Sequence, residues 1–337
     1  LGNKTGINMQ TQETLICHRD IVAAAKRLDG KVKKTPLIES IHANQSCNAR
    51  VFLKAETLQH CGSFKFRGAY NFVCQLSQAQ KRQGLVAYSS GNHAQAVAKV
   101  ANLNGISATI VMPKDAPEIK IRATKDFGAR IVLYDRNRES RETIAAEIVS
   151  ISGGILVPPY DHQHTIAGQG TVGLEIIQQL GLQGCQPDIV MVPCSGGGLV
   201  SGIAIVIKHT FPKAEVYAVE PEGFDDTSRS LVSGKFESIK ENQKSICDAL
   251  LVPTPGRITF PINKNLLSGG LTVTDQMVEK AMAFAFLHEK LILEPGGAAA
   301  LAALFKHKKL LTGKTAIAIL SGGNVDPRTF KMAIKQN

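Results

Sequence analysis

A chain of 337 residues with 44% hydrophobic and 20% charged residues is long enough for two domains and too apolar to be disordered. Its net charge of +11 would suit a polyanionic partner, yet the basic residues are spread along the chain, aromatics make up only 5%, and the one short basic block is "KHKK" at 306–309. Clustering rather than net charge marks a nucleic-acid surface, so no nucleic-acid partner is expected.

Seven cysteines, Cys17, Cys47, Cys61, Cys74, Cys185, Cys194 and Cys247, are scattered with no C-x-x-C pair. That pattern argues against a disulfide framework and a structural zinc, and for a reducing compartment. No stretch approaches about 18 uninterrupted apolar residues, and "LGNKTGINMQ" at the N-terminus lacks the apolar core of a signal peptide, so a soluble cytoplasmic protein without membrane contact is expected.

From residue 50 onward, short apolar runs alternate with helical patterns. The runs are "RVFLKA" (50–55), "LVAYSS" (85–90), "ATIVMP" (108–113), "RIVLYD" (130–135), "GILVPP" (154–159), "DIVMVPC" (188–194), "EVYAVEP" (215–221) and "TAIAILSGG" (315–323). Such runs, without strict alternation, suit strands buried on both faces of a parallel sheet. Stretches 94–105, 276–291 and 297–311 carry helical periodicity, several with Gly or Asn near their ends. The alternation predicts an α/β fold with right-handed crossovers and ligands at the carboxyl ends of strands. Residues 63–161 are expected to form a small α/β domain inserted into a larger one made of 1–62 and 162–337, with a pocket between them.

The chemistry-bearing motifs follow the same order. In "HCGSFKFRGAYNF" (60–72), Lys65 opens an apolar helix, where a cation opposes the helix dipole. Beside Arg67 and between Phe64 and Phe66, its ammonium form is expected to be disfavoured by like charge, dipole and desolvation, which suits an amine nucleophile. "YSSGNHAQAVA" (88–98) places Ser89, Ser90, Gly91, Asn92 and His93 at a strand end. "GQGTVG" (168–173) matches a dinucleotide fingerprint but follows polar residues rather than a strand, so it reads as a glycine-bearing helix start packed on its neighbours.

"VPCSGGGLVSG" (192–202) sets Ser195, Gly196, Gly197 and Gly198 between a strand and a helix, where backbone N–H groups can converge on a phosphate. Glu220, Glu222, Asp225 and Asp226 lie within seven residues, either a solvated acidic loop or oxygens for a hard divalent cation. "ILSGGNVDP" (319–327) repeats the strand-then-glycine design and adds Ser321 and Asn324. His60, His93, His162 and His164 show no ligand spacing, so zinc is not expected, and no G-x-S-x-G elbow appears. An activated lysine together with a phosphate turn is matched by an aldehyde bearing a phosphate, and pyridoxal phosphate is that molecule.

At this point the sequence resembles a family, the second fold type of pyridoxal-phosphate enzymes, in its threonine dehydratase and serine racemase branch. The resemblance runs from "KTPLIES" (34–40) through "LKAETLQHCGSFKFRGA" (53–69), "SSGNHAQA" (89–96), "AGQGTVGLEI" (167–176), "SGGGLVSGIA" (195–204) and "LEPGGAAALAAL" (293–304) to "LSGGNVDP" (320–327). It implies a two-domain, tryptophan-synthase-β-like fold with the cofactor in the interdomain cleft. It also implies that Lys65 carries pyridoxal 5'-phosphate, with Phe64 beside it. Ser195, Gly196, Gly197, Gly198 and Leu199 would bind its phosphate, Asn92 would sit at its 3'-oxygen, and Ser321 would face its ring nitrogen. Ser89, Ser90, Gly91, Asn92 and His93 would receive the carboxylate of an amino acid substrate. Arg141, in "ESRET", matches an arginine that reaches a second carboxylate or the closing cleft. Glu220, Asp226 and the carbonyl of Phe224 match a loop for Mg, Mn or Ca.

The implied reaction is β-elimination from L-threonine or L-serine to a 2-oxo acid and ammonia, with Lys65 taking the α-proton and Ser90 as the second candidate catalytic residue. Ser90 matches the opposite-face base of the racemases, and dehydratases of L-threo-3-hydroxyaspartate share it, so both activities stand as alternatives, as does a binding protein that kept the fold without the chemistry. A homodimer is expected. Two departures stand out: Cys61 precedes Gly62 where relatives commonly carry threonine, and Ala249 follows Asp248 where they carry glycine near the cofactor ring.

Overall fold

The computed structural model describes residues 16–335, and the N-terminal stretch "LGNKTGINMQ" lies outside them. Among the described residues, ten strands form two sheets. In chain order the strands are β1 (Leu37–Glu39), β2 (Arg50–Ala55), β3 (Leu85–Tyr88), β4 (Ala108–Pro113), β5 (Arg130–Tyr134), β6 (Ile155–Leu156), β7 (Ile189–Pro193), β8 (Glu215–Pro221), β9 (Gly269–Val273) and β10 (Thr315–Leu320). The six-stranded sheet runs β1-β2-β10-β7-β8-β9 and the four-stranded sheet β5-β4-β3-β6. Neighbours are parallel throughout, except that β1 pairs β2 antiparallel. The chain leaves the six-stranded sheet after β2, builds the four-stranded sheet, and returns through the helix Gln163–Gly181 to β7.

The unbroken apolar runs are explained by burial on both faces. Along β2, β7 and β10, Val51, Leu53, Met191, Ala318 and Leu320 enter one core, while Phe52, Val190, Val192, Ile317 and Ile319 enter the other. Helices Asp275–Glu289 and Pro295–Lys306 cover the first face, and helices Gln163–Gly181 and Gly198–Thr210 the second. Each buried Val, Leu or Ile contributes about 1.5–3 kcal/mol. The α/β architecture with parallel sheets expected from the alternation is present.

Differences from the sequence reading have local causes. β1 and β9 carry no apolar run: β1 is three residues long and β9 opens on Gly269 and Gly270, and both lie at sheet edges, where one side needs no partner. The run at 154–159 pairs only over Ile155–Leu156, since Pro158 and Pro159 cannot donate to a ladder. The helical stretch 297–311 breaks at His307 into Pro295–Lys306 and Lys308–Leu311.

"GQGTVG" lies inside the helix Gln163–Gly181 rather than at its start; His162 caps the helix, its Nδ1 accepting from His164 N at 3.1 Å. Gly170 and Gly202 bring this helix against Gly198–Thr210: a side-chain carbon on Gly202 would lie 2.6 Å from the Gly170 nitrogen and from the Ile166 oxygen. The glycines serve helix packing, as the failed dinucleotide context suggested.

A buried ion network ties the two parts of the chain together. Arg67 donates to Glu56 through Nε (2.8 Å) and Nη2 (2.7 Å), and to Glu175 through Nη1 (2.6 Å) and Nη2 (3.0 Å). Lys54 donates to Glu175 at 2.6 Å and to the Thr35 carbonyl at 2.8 Å. Two cations thus meet two carboxylates with their hydrogen-bonding groups satisfied, the condition under which charges tolerate burial. Among the described residues, no helix is long and apolar enough to cross a membrane.

Candidate active site

A cavity of about 430 Å³ opens where strand ends of both sheets meet. β3 contributes Ser89 to His93, β7 contributes Ser195 to Leu199, and β10 contributes Ser321 and Asn324. Phe64, Lys65 and Arg141 line it as well. The cofactor and substrate residues proposed from the sequence therefore share one space, although they are spread over 258 positions from Phe64 to Ser321.

Lys65 is the first residue of the helix Lys65–Cys74, which has no side-chain cap. The segment before it is sewn to the end of β10: Phe64 N donates to Ser321 O at 3.2 Å, and Ser63 bridges Gly322. The Lys65 amine donates to Pro159 O at 2.8 Å. Desolvation lowers its pKa from 10.5 to about 8, against the opposing attraction of Glu294. Arg67 plays no part in this shift, contrary to the sequence reading, because its guanidinium is held by Glu56 and Glu175.

Asn92 and His93 open the helix Asn92–Leu103. The Asn92 side chain donates to Glu294 Oε1 and accepts from Asn324 Nδ2 at 2.8 Å; Asn324 also donates to Cys61 O at 2.7 Å. The His93 ring meets Val157 O at 2.8 Å, and burial with the Lys65 charge lowers its pKa to about 3. His93 is therefore a neutral donor turned to the backbone. An incoming carboxylate would find the Ser89 and Ser90 hydroxyls and the free amides of the helix N-terminus rather than a histidine cation.

At the glycine turn, Gly197 has φ +90° and the helix Gly198–Thr210 starts without a side-chain cap. Its leading N–H groups need an acceptor that the helix cannot supply. The turn admits no side chains: a carbon on Gly196 would lie 2.2 Å from the Tyr160 ring, and one on Gly197 2.7 Å from Asn263 Nδ2. This arrangement fits a phosphate.

The Arg141 guanidinium stands 5.3 Å from the Tyr88 ring centroid and donates to Glu142 at 2.8 Å. Glu220 and Asp226 are buried. Glu220 accepts from Thr227 N at 2.9 Å and from Ser228 N at 2.8 Å, whereas Asp226 Oδ2 has no partner. Burial raises Glu220 to about 7, and burial with the charge of Glu220 raises Asp226 to about 8. Phe224 sits between them in the turn after β8 and is buried. Two buried, mutually repelling carboxylates suit a divalent cation. Among the described residues, no group of three or more His, Cys, Asp or Glu side chains is placed to hold a metal.

The departures also find their places. Cys61 adopts φ +57° and turns its thiol towards Gln95 O at 3.7 Å, and burial pushes its pKa up to about 12. Gly62 follows with φ +68°, and a side-chain carbon there would lie 2.6 Å from Asn324 Oδ1. Ala249 lines the cavity, its methyl 3.2 Å from where a side chain on Gly296 would begin.

Sequence reasoning missed several lining residues. Lys120 donates to Asp248 Oδ2 at 2.5 Å and lies 3.8 Å from Glu294 Oε2. Burial raises the Glu294 pKa against the pull of Lys120. Tyr160 and Gln169 also line the cavity. Glu294 and Gln169 lay within quoted motifs, but nothing local marks either as facing a pocket.

Residues 28–322 match the family described as pyridoxal-phosphate dependent enzymes. This chain belongs to that family. It is 39% identical over 328 residues to a serine racemase of Schizosaccharomyces pombe, covering 97% of this chain and 100% of the relative. It is 40% identical over 315 residues to an L-threo-3-hydroxyaspartate ammonia-lyase of Saccharomyces cerevisiae, covering 94% and 95%. Among solved structures, a serine racemase of maize superposes with a TM-score of 0.89 at 34% identity, over 96% of this chain and 98% of that one. The cofactor of the family is pyridoxal phosphate, and the lysine and glycine turn of the cavity fit it.

Proposed function

We propose that this chain is an ammonia-lyase that converts L-threonine or L-serine to a 2-oxo acid and ammonia. The observation that carries the reading is Lys65, an amine with its pKa lowered to about 8, lining one cavity with the Ser195–Leu199 turn and the Ser89–His93 segment. Pyridoxal phosphate, when bound, supplies the carbonyl that takes the substrate amino group and the ring that takes up electrons from Cα. The amides of Ser195 to Leu199 would hold its phosphate, Asn92 its 3'-oxygen and Ser321 its ring nitrogen. Ser89, Ser90 and the first amides of the helix Asn92–Leu103 would hold the substrate carboxylate. The Lys65 amine, whose pKa burial lowers to about 8 in the unliganded chain, would be the base for the α-proton once the substrate amino group has taken its place on the cofactor.

Glu220, Asp226 and the Phe224 carbonyl would hold Mg, Mn or Ca, a reading supported by the unpartnered Asp226 Oδ2. Two chains are proposed to form a homodimer, the commonest form among homo-oligomers. A second reading, racemisation of serine or deamination of L-threo-3-hydroxyaspartate, is favoured by Ser90 and Arg141 lining the cavity and by the named relatives.

The test is to incubate the protein with pyridoxal phosphate and magnesium, offer L-threonine, L-serine and L-threo-3-hydroxyaspartate separately, and measure 2-oxo acid and D-enantiomer. Rapid oxo acid from threonine or serine is expected. Turnover confined to hydroxyaspartate, or D-serine as the main product, would move the assignment to the second reading; silence on all three would leave a binding protein.

A further inference from the structure

The motif "GQGTVG" carries one side chain that helix packing does not explain. Gln169 reaches from the middle of the helix Gln163–Gly181 to the cavity and is 1% exposed. Its Nε2 donates at 3.4 Å to Pro159 O, the carbonyl that also takes the Lys65 amine. Its Cγ and Nε2 lie 3.0 Å from where a side chain on Gly68 would begin, which presses it against the Lys65 helix. Its Oε1 lies 2.9 Å from the same point on Gly198, the first residue of the helix that closes the glycine turn. That oxygen is buried and accepts no hydrogen bond. A buried acceptor without a donor is rare in a folded protein, and one that lines a cavity is met by whatever donor, water or ligand, the cavity holds.

We propose that Gln169 Oε1 accepts a hydrogen bond from a protonated oxygen of the cofactor phosphate, so that this site binds the phosphate as a monoanion. The proposal rests on the pyridoxal-phosphate reading above. A dianionic phosphate monoester has acceptors only and would face the Gln169 oxygen unfavourably. The monoanion carries one O–H donor, and the second proton of such an ester is lost near pH ~6 in water. The turn offers backbone N–H groups to the remaining oxygens, and no Lys or Arg lies in Ser195–Leu199 to favour the second negative charge.

The titratable groups around the turn do not reverse this preference. Lys65 lines the same cavity from the helix Lys65–Cys74 and would be committed to the cofactor carbonyl in the loaded enzyme. Tyr160, over Gly196, is a neutral phenol raised to about 12, and Tyr88 is raised as well. Arg141 is paired with Glu142. Cys194, at the root of the turn, is a buried thiol facing Thr227 Oγ1 at 3.5 Å and brings no positive charge. His93 is neutral.

The experiment loads the wild type and Gln169→Met with pyridoxal phosphate, scores cofactor uptake by visible absorbance, and follows the ³¹P resonance of the bound phosphate between about pH 5 and about pH 9, with free pyridoxal phosphate alongside. The expected result is a wild-type midpoint above that of the free cofactor, and in Gln169→Met a proton affinity lower by on the order of tenfold. Wild-type uptake with a dianionic phosphate throughout, or an unchanged midpoint in the variant, overturns the proposal; a dianion would show the amide turned with Nε2 to the anion. No uptake by the wild type would overturn the cofactor reading and this proposal with it. Should Gln169→Met fail to fold, the wild-type midpoint against the free cofactor decides alone.

Discussion

The Lys120 ammonium lies 2.5 Å from the Asp248 carboxylate and joins the two halves of the cavity wall. Lys120 belongs to the helix Glu118–Asp126 between β4 and β5, whereas Asp248 lies on a short turn between β8 and β9. The pair therefore spans the cleft between the four-stranded and six-stranded sheets. Its partner Glu294 carries the Asn92 amide, so one cation holds three segments around the proposed substrate position.

Replacing Lys120 with methionine leaves Asp248 and the buried Glu294 without their cation. The expected result is a loss of roughly 1–3 kcal/mol in stability, read by denaturant unfolding. KM for the amino acid should rise with it, because the cleft loses its clasp. An unchanged KM together with unchanged stability would show the contact to be idle.

The unliganded protein should respond to alkali through Lys65. The folded pKa of about 8 lies below the unfolded value of 10.5, so the unfolded chain binds more protons between them. Stability should then rise with pH across that window and be flat, as regards this group, below it. Lys65→Met should lose this slope, observed in melting temperatures over the same range. The same variant should lose cofactor absorbance in the visible and at least about 10³-fold in turnover.

Magnesium or manganese should raise the melting temperature of the wild type by neutralising the buried pair of Glu220 and Asp226. Asp226→Asn keeps the shape and removes one charge, so its melting temperature should respond weakly or not at all to the ion. Equal responses in the two proteins would place the cation elsewhere.

Gly202→Ala should cost about 1–3 kcal/mol, because its added carbon would meet the Gly170 nitrogen and the Ile166 oxygen at 2.6 Å and neither backbone atom can yield. Denaturant titration measures this directly. Gly313→Ala, at a position with nothing within 4 Å but φ +72°, separates steric crowding from backbone strain: it should cost about 1 kcal/mol.

Residues within one strand-and-turn segment were legible because their signal is local. β2, β4 and β8 coincide with apolar runs, since burial on both faces writes itself into consecutive residues. Lys65 and the Ser195–Leu199 turn could be picked out because a cation at a helix start and three glycines after a strand break local rules. β1 and β9 stayed hidden because edge strands bury too little to leave a pattern.

The sequence by itself determined the α/β class, the lysine at a helix start, the glycine turn after a strand and the family resemblance, because each rests on neighbours in the chain. Only the tertiary structure decided what surrounds Lys65. It removed Arg67 into a buried ion network, turned His93 to the Val157 carbonyl, and brought Lys120, Asp248 and Glu294 into one wall. Those partners stand far apart in the chain, 128 positions between Lys120 and Asp248 and 202 between Asn92 and Glu294. Desolvation and pairing depend on which side chains the packed sheets set face to face, and no local pattern in the chain records that.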